Sequence, residues 1–150
     1  MLAENTVLTG RRAITRSYAK INLTLDVLSK RENGYHDIKM IMQTVSLFDL
    51  ILVDKTHRGI SISTNLPYLP CNEKNIAYKA ADAFFKATGI RGGAKIVIHK
   101  NIPVAAGLAG GSGNCAAVLT AINMLHGNPL SNDELMHIGA SLGADVPYCF

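Results

Sequence analysis

From Ala19 to Val27 the chain alternates without a break. The odd positions, Ala19, Ile21, Leu23, Leu25 and Val27, are apolar, and the even ones, Lys20, Asn22, Thr24 and Asp26, are polar. A period of two marks a half-buried strand and places Lys20 and Asn22 on one face. The segment KRENGY then carries a hairpin turn signal at Asn33-Gly34. Two further strands are predicted at 38–54 and 60–64, the first bent or divided near Ser46.

The rest of the chain reads as helices with a single strand among them. Pro67 and Pro70 mark a loop, and Ile76, Ala80, Ala83 and Phe84 recur at helical spacing within 73–88, with Gly89 as the stop. AKIVIHK at 94–100 is a short β-branched strand, and an apolar helix over about 112–126 ends at Gly127. Ser131 and Glu134 have capping-box spacing and open a helix that stops near Gly143. Strands that come early and helices that come late indicate α+β rather than a doubly wound parallel sheet. The predicted fold is one mostly antiparallel sheet with helices packed on one face.

Composition limits the classes of function. A chain of 150 residues, 48% hydrophobic and 17% charged, has the make-up of a single soluble globular domain. Its apolar stretches are broken before bilayer length, and the opening MLAENTVLTG shows no secretory leader pattern. Cys71, Cys115 and Cys149 are far apart, and the five histidines stand singly, so neither a disulfide framework nor a metal site is expected. A reduced, cytoplasmic setting is the expectation. The net charge of +4 is concentrated in Arg11, Arg12, Arg16, Lys20, Lys30, Arg31 and Lys39. It favours anionic ligands without choosing between nucleotides and nucleic acid.

Between the 94–100 strand and the apolar helix lies PVAAGLAGGSG, with four glycines from Gly107 to Gly113. Glycine loses the most conformational entropy on folding, so a cluster implies close approach of backbone to something. A P-loop is excluded because the segment has no lysine. Gly111, Gly113 and Ala116 fit a dinucleotide fingerprint, with Asp133 twenty positions past Gly113. That fold needs its turn directly after a strand, however, and here more than ten residues intervene before Gly111. What remains is a phosphate cradle at a helix N-terminus, with Ser112 able to reach a phosphate or a magnesium ion, or a plain surface loop before a core helix. Glycine clustering alone leaves both open.

Three segments together, AKINLTLDVLSKRENGYHDI at 19–38, IPVAAGLAGGSGNCAAVL at 102–119 and SLGADVPYCF at 141–150, resemble the GHMP kinase superfamily. Within it they are most similar to the branch that phosphorylates a cytidine-diphosphate-linked alcohol in non-mevalonate isoprenoid synthesis. The resemblance spans nearly all of the chain after about residue 13. It implies an ATP-dependent kinase working with Mg2+ on a small-molecule acceptor, with neither nucleic acid nor membrane as a partner. By the same resemblance Lys20 and Asp145 are catalytic, with Asp145 as the base. Pro103, Val104, Ala105, Ala106, Gly107, Leu108, Ala109, Gly110, Gly111, Ser112 and Gly113 hold the ATP phosphates, and Asn75 and Lys100 lie near the adenine. Asn22 binds the acceptor, while Tyr35 and His36 hold its cytosine.

The chain departs from the family pattern in three places. Tyr18 replaces a proline, Gly113 and Cys115 stand where serine and alanine are usual, and the chain ends at Phe150, about half the family's length. Residues 1–12 are therefore read as an N-terminal extension. Residues 13–150 are read as the N-terminal, ATP-binding domain, similar in fold to a domain of ribosomal protein S5, with the family's C-terminal domain absent. Two other readings compete. A nucleic-acid-binding module suits the basic charge, but only 6% of residues are aromatic and none is tryptophan. Another GHMP kinase, for mevalonate or homoserine, has no use for the Gly34-Tyr35-His36 element, because those acceptors present no cytosine.

Overall fold

The computed structural model describes residues 2–30, 34 and 36–150. Asn33 of the turn signal and Tyr35, the expected cytosine-stacking ring, lie outside the described residues. The strands are β1 (Thr6–Thr9), β2 (Arg12–Lys30), β3 (His36–Thr56), β4 (Gly59–Thr64) and β5 (Gly93–His99). The helices are α1 (Ile76–Thr88), α2 (Gly110–Leu125) and α3 (Asn132–Leu142), and a short 3-10 turn covers Pro147–Cys149. The strands form one sheet in the order β1-β2-β3-β5-β4. Every neighbouring pair is antiparallel except β4 and β5. Parallel strands need a crossover, and α1 supplies it.

Local chemistry sets the helix ends. Asn75 caps α1 by accepting from Ala77 N at 3.0 Å, and Gly89 closes it in the left-handed region at φ 65°. Ser131 and Glu134 form the expected capping box on α3. The middle helix is different: every residue of α2 from Gly113 to Asn123 is buried, as in a helix enclosed on all sides.

One face of the sheet carries the core. Ala13, Val53 and Ile96 lie in one row across β2, β3 and β5, and Thr15, Ile51 and Ile98 in the next. The apolar residues of both rows pack against Phe84 of α1 and Val118, Leu119 and Ile122 of α2. Residues 1–12, expected as an extension, include β1, which pairs with β2, and Leu2, which is buried in the same core.

The ribbon formed by β2 and β3 runs on past the helices, and there the half-buried expectation for 19–27 fails. Ala19 is buried, but Leu23, Leu25 and Val27 are 57%, 49% and 60% exposed. The ladder also contains irregularities. Its register jumps from Tyr18–Phe48 to Lys20–Thr44, which places a bend at the expected Ser46, and Leu23 is an extra residue between the Asn22–Met42 and Thr24–Ile41 pairs. Such a bulge reverses the side-chain parity of one strand against its partner. Asn22 therefore shares a face with Met42, and Leu25 and Val27 join that face through Met40 and Ile38. Unbroken alternation would have put them on opposite sides.

Candidate active site

The glycine-rich loop leaves β5 at Lys100, crosses Pro103–Ala109 and enters α2 at Gly110. Two of its alanines, Ala105 and Ala109, hold positive φ of 58° and 56°, a left-handed conformation that costs a residue with a Cβ about 1–3 kcal/mol and concentrates at functional sites. Ala109 is the N-cap of α2 and gives it no side-chain hydrogen bond. The first N–H groups of the helix thus face the loop without a side-chain acceptor, the arrangement that favours an anion.

In front of these groups opens a cavity of about 490 Å³, a volume suited to a small-molecule ligand. Every expected loop residue from Pro103 to Ser112 lines it, together with Asn75, Lys100 and Asp145. Gly113 is the exception. A Cβ there would stand 2.4 Å from Ser17 Oγ, so this position backs onto β2 and the family's serine would require Ser17 to move. Cys115 behind it is buried, and burial pushes its thiol up to about 12.

Lys20 and Asp145 are 125 positions apart in sequence, and the fold brings Lys20 Nζ within 3.5 Å of Asp145 Oδ2. Lys20 is buried on β2, and its backbone N–H donates to Leu108 O at 3.1 Å, which ties the crest of the loop to the strand. Its ammonium also donates to Asn22 Oδ1 at 3.0 Å. Asp145 lies in the turn after α3 with its side chain 42% exposed. Ser112 Oγ is 3.9 Å from where a Cβ on Gly143 would stand, so the start of α2 and the Gly143–Asp145 turn are neighbours. Cys149, whose Sγ donates to Asp145 O at 3.3 Å, has its thiol pushed up to about 11 by burial, with Asp145 adding to the effect. A thiol so held is protonated at neutral pH and is not a nucleophile.

Lys20, Asn22, Asp145 and the loop therefore form one constellation. Asn75 and Lys100 line its cavity in other roles: Asn75 caps α1 and donates to Pro70 O at 2.9 Å, and the Lys100 ammonium is buried against Asp49. His36 is remote. It begins β3 opposite Lys30, eight positions along the strand from Thr44, which pairs with Lys20; that is up to about 27 Å of extended chain. Two residues bearing on the loop were missed in the sequence, Asp49 and Asn114. Asp49 is a lone carboxylate inside the apolar run 47–53, and that is the signal that could have found it.

Residues 75–150 match the family model described as GHMP kinases N terminal domain. The chain belongs to this family. A Clostridium botulinum protein (strain Alaska E43 / Type E3) named 4-diphosphocytidyl-2-C-methyl-D-erythritol kinase is 52% identical over 134 residues, covering 89% of this chain and 48% of the relative. A Clostridium perfringens protein of the same name is 53% identical over 135 residues, covering 89% and 47%. A crystal structure of 4-(cytidine 5'-diphospho)-2C-methyl-D-erythritol kinase superposes with a TM-score of 0.79 at 36% identity, covering 90% of this chain and 47% of that one. Homoserine kinase from Cytophaga hutchinsonii shares the fold, with a TM-score of 0.71 at 18% identity, covering 91% and 42%. The chain spans about half the length of the curated relatives it matches.

Proposed function

We propose that this GHMP kinase domain supplies the ATP-binding and phosphoryl-transfer half of a kinase for 4-diphosphocytidyl-2-C-methyl-D-erythritol, acting in the cytoplasm. The observation that carries the reading is the Lys20–Asp145 pair, 3.5 Å apart at the edge of the cavity that the glycine-rich loop lines. Relatives above 50% identity carry that enzyme's name, which favours this acceptor over homoserine or mevalonate.

Phosphoryl transfer needs a positioned hydroxyl and neutralised phosphate charge more than covalent chemistry. The N–H groups at the start of α2 would hold the phosphates. Asp145, exposed to the cavity, would orient the acceptor hydroxyl and take its proton, and the Lys20 ammonium would offset the charge that develops on the attacking oxygen. Asn22, hydrogen-bonded to that ammonium, would hold it toward the acceptor. Magnesium takes few protein oxygens and is held largely by substrate phosphates. Ser112 and Asp145, which both line the cavity, would hold it, and it would supply charge neutralisation there. The domain organisation belongs to the same proposal. Residues 13–150, joined by β1 at the sheet edge, would form the ATP-binding domain, and the relatives' further length a second domain closing over the exposed Leu25 and Val27 on the face they share with Asn22.

The test is an ATP-dependent phosphorylation assay on this chain and on a chimera joining it to the remaining half of the Clostridium botulinum relative. Transfer to 4-diphosphocytidyl-2-C-methyl-D-erythritol, with none to mevalonate or homoserine, is expected from the chimera. Transfer to one of the other two alcohols instead would overturn the substrate. Salt-sensitive RNA retention without any ATP binding would overturn the kinase reading itself.

A further inference from the structure

The Asp49 carboxylate lies fully buried beneath the start of the glycine-rich loop. Its Oδ1 accepts from the backbone N–H groups of Asn101 at 2.7 Å and Ile102 at 2.9 Å, the two residues that lead into the loop. Its Oδ2 accepts from the buried Lys100 ammonium. In the orientation that matches donors to acceptors, the Asn114 amide nitrogen also donates to that oxygen at 2.9 Å and to Gly110 O at 3.1 Å. Its amide oxygen then accepts from Lys100 Nζ at 3.3 Å. A Cβ placed on Gly110 would stand 2.9 Å from the same ammonium. One carboxylate on β3 thus grips both ends of the loop, the entry at 101–102 and the first turns of α2.

We infer that Asp49 is a positioning residue for nucleotide binding: through Lys100, Asn114 and the 101–102 backbone it holds the phosphate loop in its binding shape before ATP arrives. The inference rests on the ATP reading of the loop. Asp49 is not among the cavity-lining residues, so its effect on a ligand passes through the groups it holds. A buried ion pair stabilises little compared with an apolar substitute, whereas prior ordering of a loop lowers the entropic cost of binding. The ammonium so close to the start of α2 meets the positive end of the helix dipole, and the carboxylate offsets that repulsion.

The experiment measures ATP–Mg2+ affinity by titration calorimetry and amide exchange of the 100–110 segment by mass spectrometry, on the 150-residue chain and its variants. Asp49→Asn should weaken ATP by about tenfold to a hundredfold, the loss typical of small misplacements, and speed exchange in 100–110. Asp49→Asn also releases Lys100, so a lysine that simply touches ATP would bind as well or better in this variant; that result overturns the proposal. If the stranded ammonium costs the variant its fold, the double variant Asp49→Asn with Lys100→Met removes it. This variant should recover the wild-type melting temperature while exchange in 100–110 stays fast, and that exchange is the deciding readout because Lys100 itself lines the cavity. Recovery of wild-type exchange along with stability would show a packing role only and sink the inference. Wild-type chain that melts cooperatively yet binds no ATP fails at an earlier step, by overturning the ATP reading and the inference with it.

Discussion

Lys100 and Asp49 meet beneath the glycine-rich loop with side chains 5% and 0% exposed, whereas Lys20 and Asp145 meet beside the cavity with 6% and 42%. The chemical groups are the same, and their surroundings decide what each pair can do. Asp49 accepts hydrogen bonds from the loop backbone, the ammonium and an amide, all sealed from water. Asp145 is left with solvent on one side and a lysine at 3.5 Å, its carboxylate open to the cavity. A saturated carboxylate organises structure, and an open one is available for chemistry.

The largest expected effect separates the pairs by stability. Asp49→Ala strands a buried ammonium, a change that costs about 3–5 kcal/mol. For a domain of this size that lowers the melting temperature by about 10 °C. Asp145→Ala removes a half-exposed partner and leaves the Lys20 ammonium its hydrogen bond to Asn22, so it should cost less, about 1–2 kcal/mol. Urea melts of both variants check this, and equal losses would erase the distinction.

Turnover should reverse the ranking. In the active chimera Asp145→Asn is expected to lower kcat about a hundredfold, or about 2.7 kcal/mol, with ATP affinity unchanged. Lys20→Met should lower it too, and the double variant should lose less than the sum because the residues act as a unit. Additive losses in a steady-state assay would show that the two act separately.

A third test asks what the loop between the pairs does. Gly110 cannot serve, because its missing Cβ faces Lys100 and Ile102 rather than the cavity. At Gly111 the nearest atom to an added Cβ is Ile76 Cγ2 at 3.8 Å, so Gly111→Val fits the fold and intrudes on the ligand space. ATP affinity should fall about tenfold, or about 1.4 kcal/mol, with the melting temperature little changed. Undiminished affinity in calorimetry would remove the phosphates from this loop.

The sequence yielded the elements and the open pair more readily than the saturated one. Capping residues, glycine stops and apolar periods are local signals, and Gly89, Ser131 and Gly143 mark helix ends where they were expected, whereas the cap that Asn75 gives α1 was not foreseen. Lys20 and Asp145 were found by family resemblance, since 125 intervening residues carry no local trace of their contact. The bulge at Leu23 was not legible, because an extra residue depends on how β3 pairs with β2. It decides that Asn22 shares a face with Leu25 and Val27. Asp49 escaped because burial of a charge is visible only once its partners at 100–102 and 114 are folded around it.

The smallest expected effect comes from a third pair on the same ribbon, and it isolates geometry from burial. Arg12 grips Asp54 through two bonds, Nε to Oδ1 at 2.6 Å and Nη2 to Oδ2 at 2.9 Å, at the surface. The hydrogen bond from Arg12 holds the Asp54 carboxyl below its ordinary value of 3.8. A depressed carboxyl contributes stability that is present above the unfolded value and is lost as pH falls through the folded one. Asp54→Asn should therefore shift the urea midpoint slightly at pH 7 and not at all once the pH lies below the folded value. The shift at pH 7 should shrink in high salt, where exposed charges are screened. The Asp49→Ala loss should persist in the same salt because its partners are sealed from solvent. An Asp54→Asn loss as large as that of Asp49→Ala, or one indifferent to salt, would mean that hydrogen-bond geometry rather than burial sets the difference between the pairs.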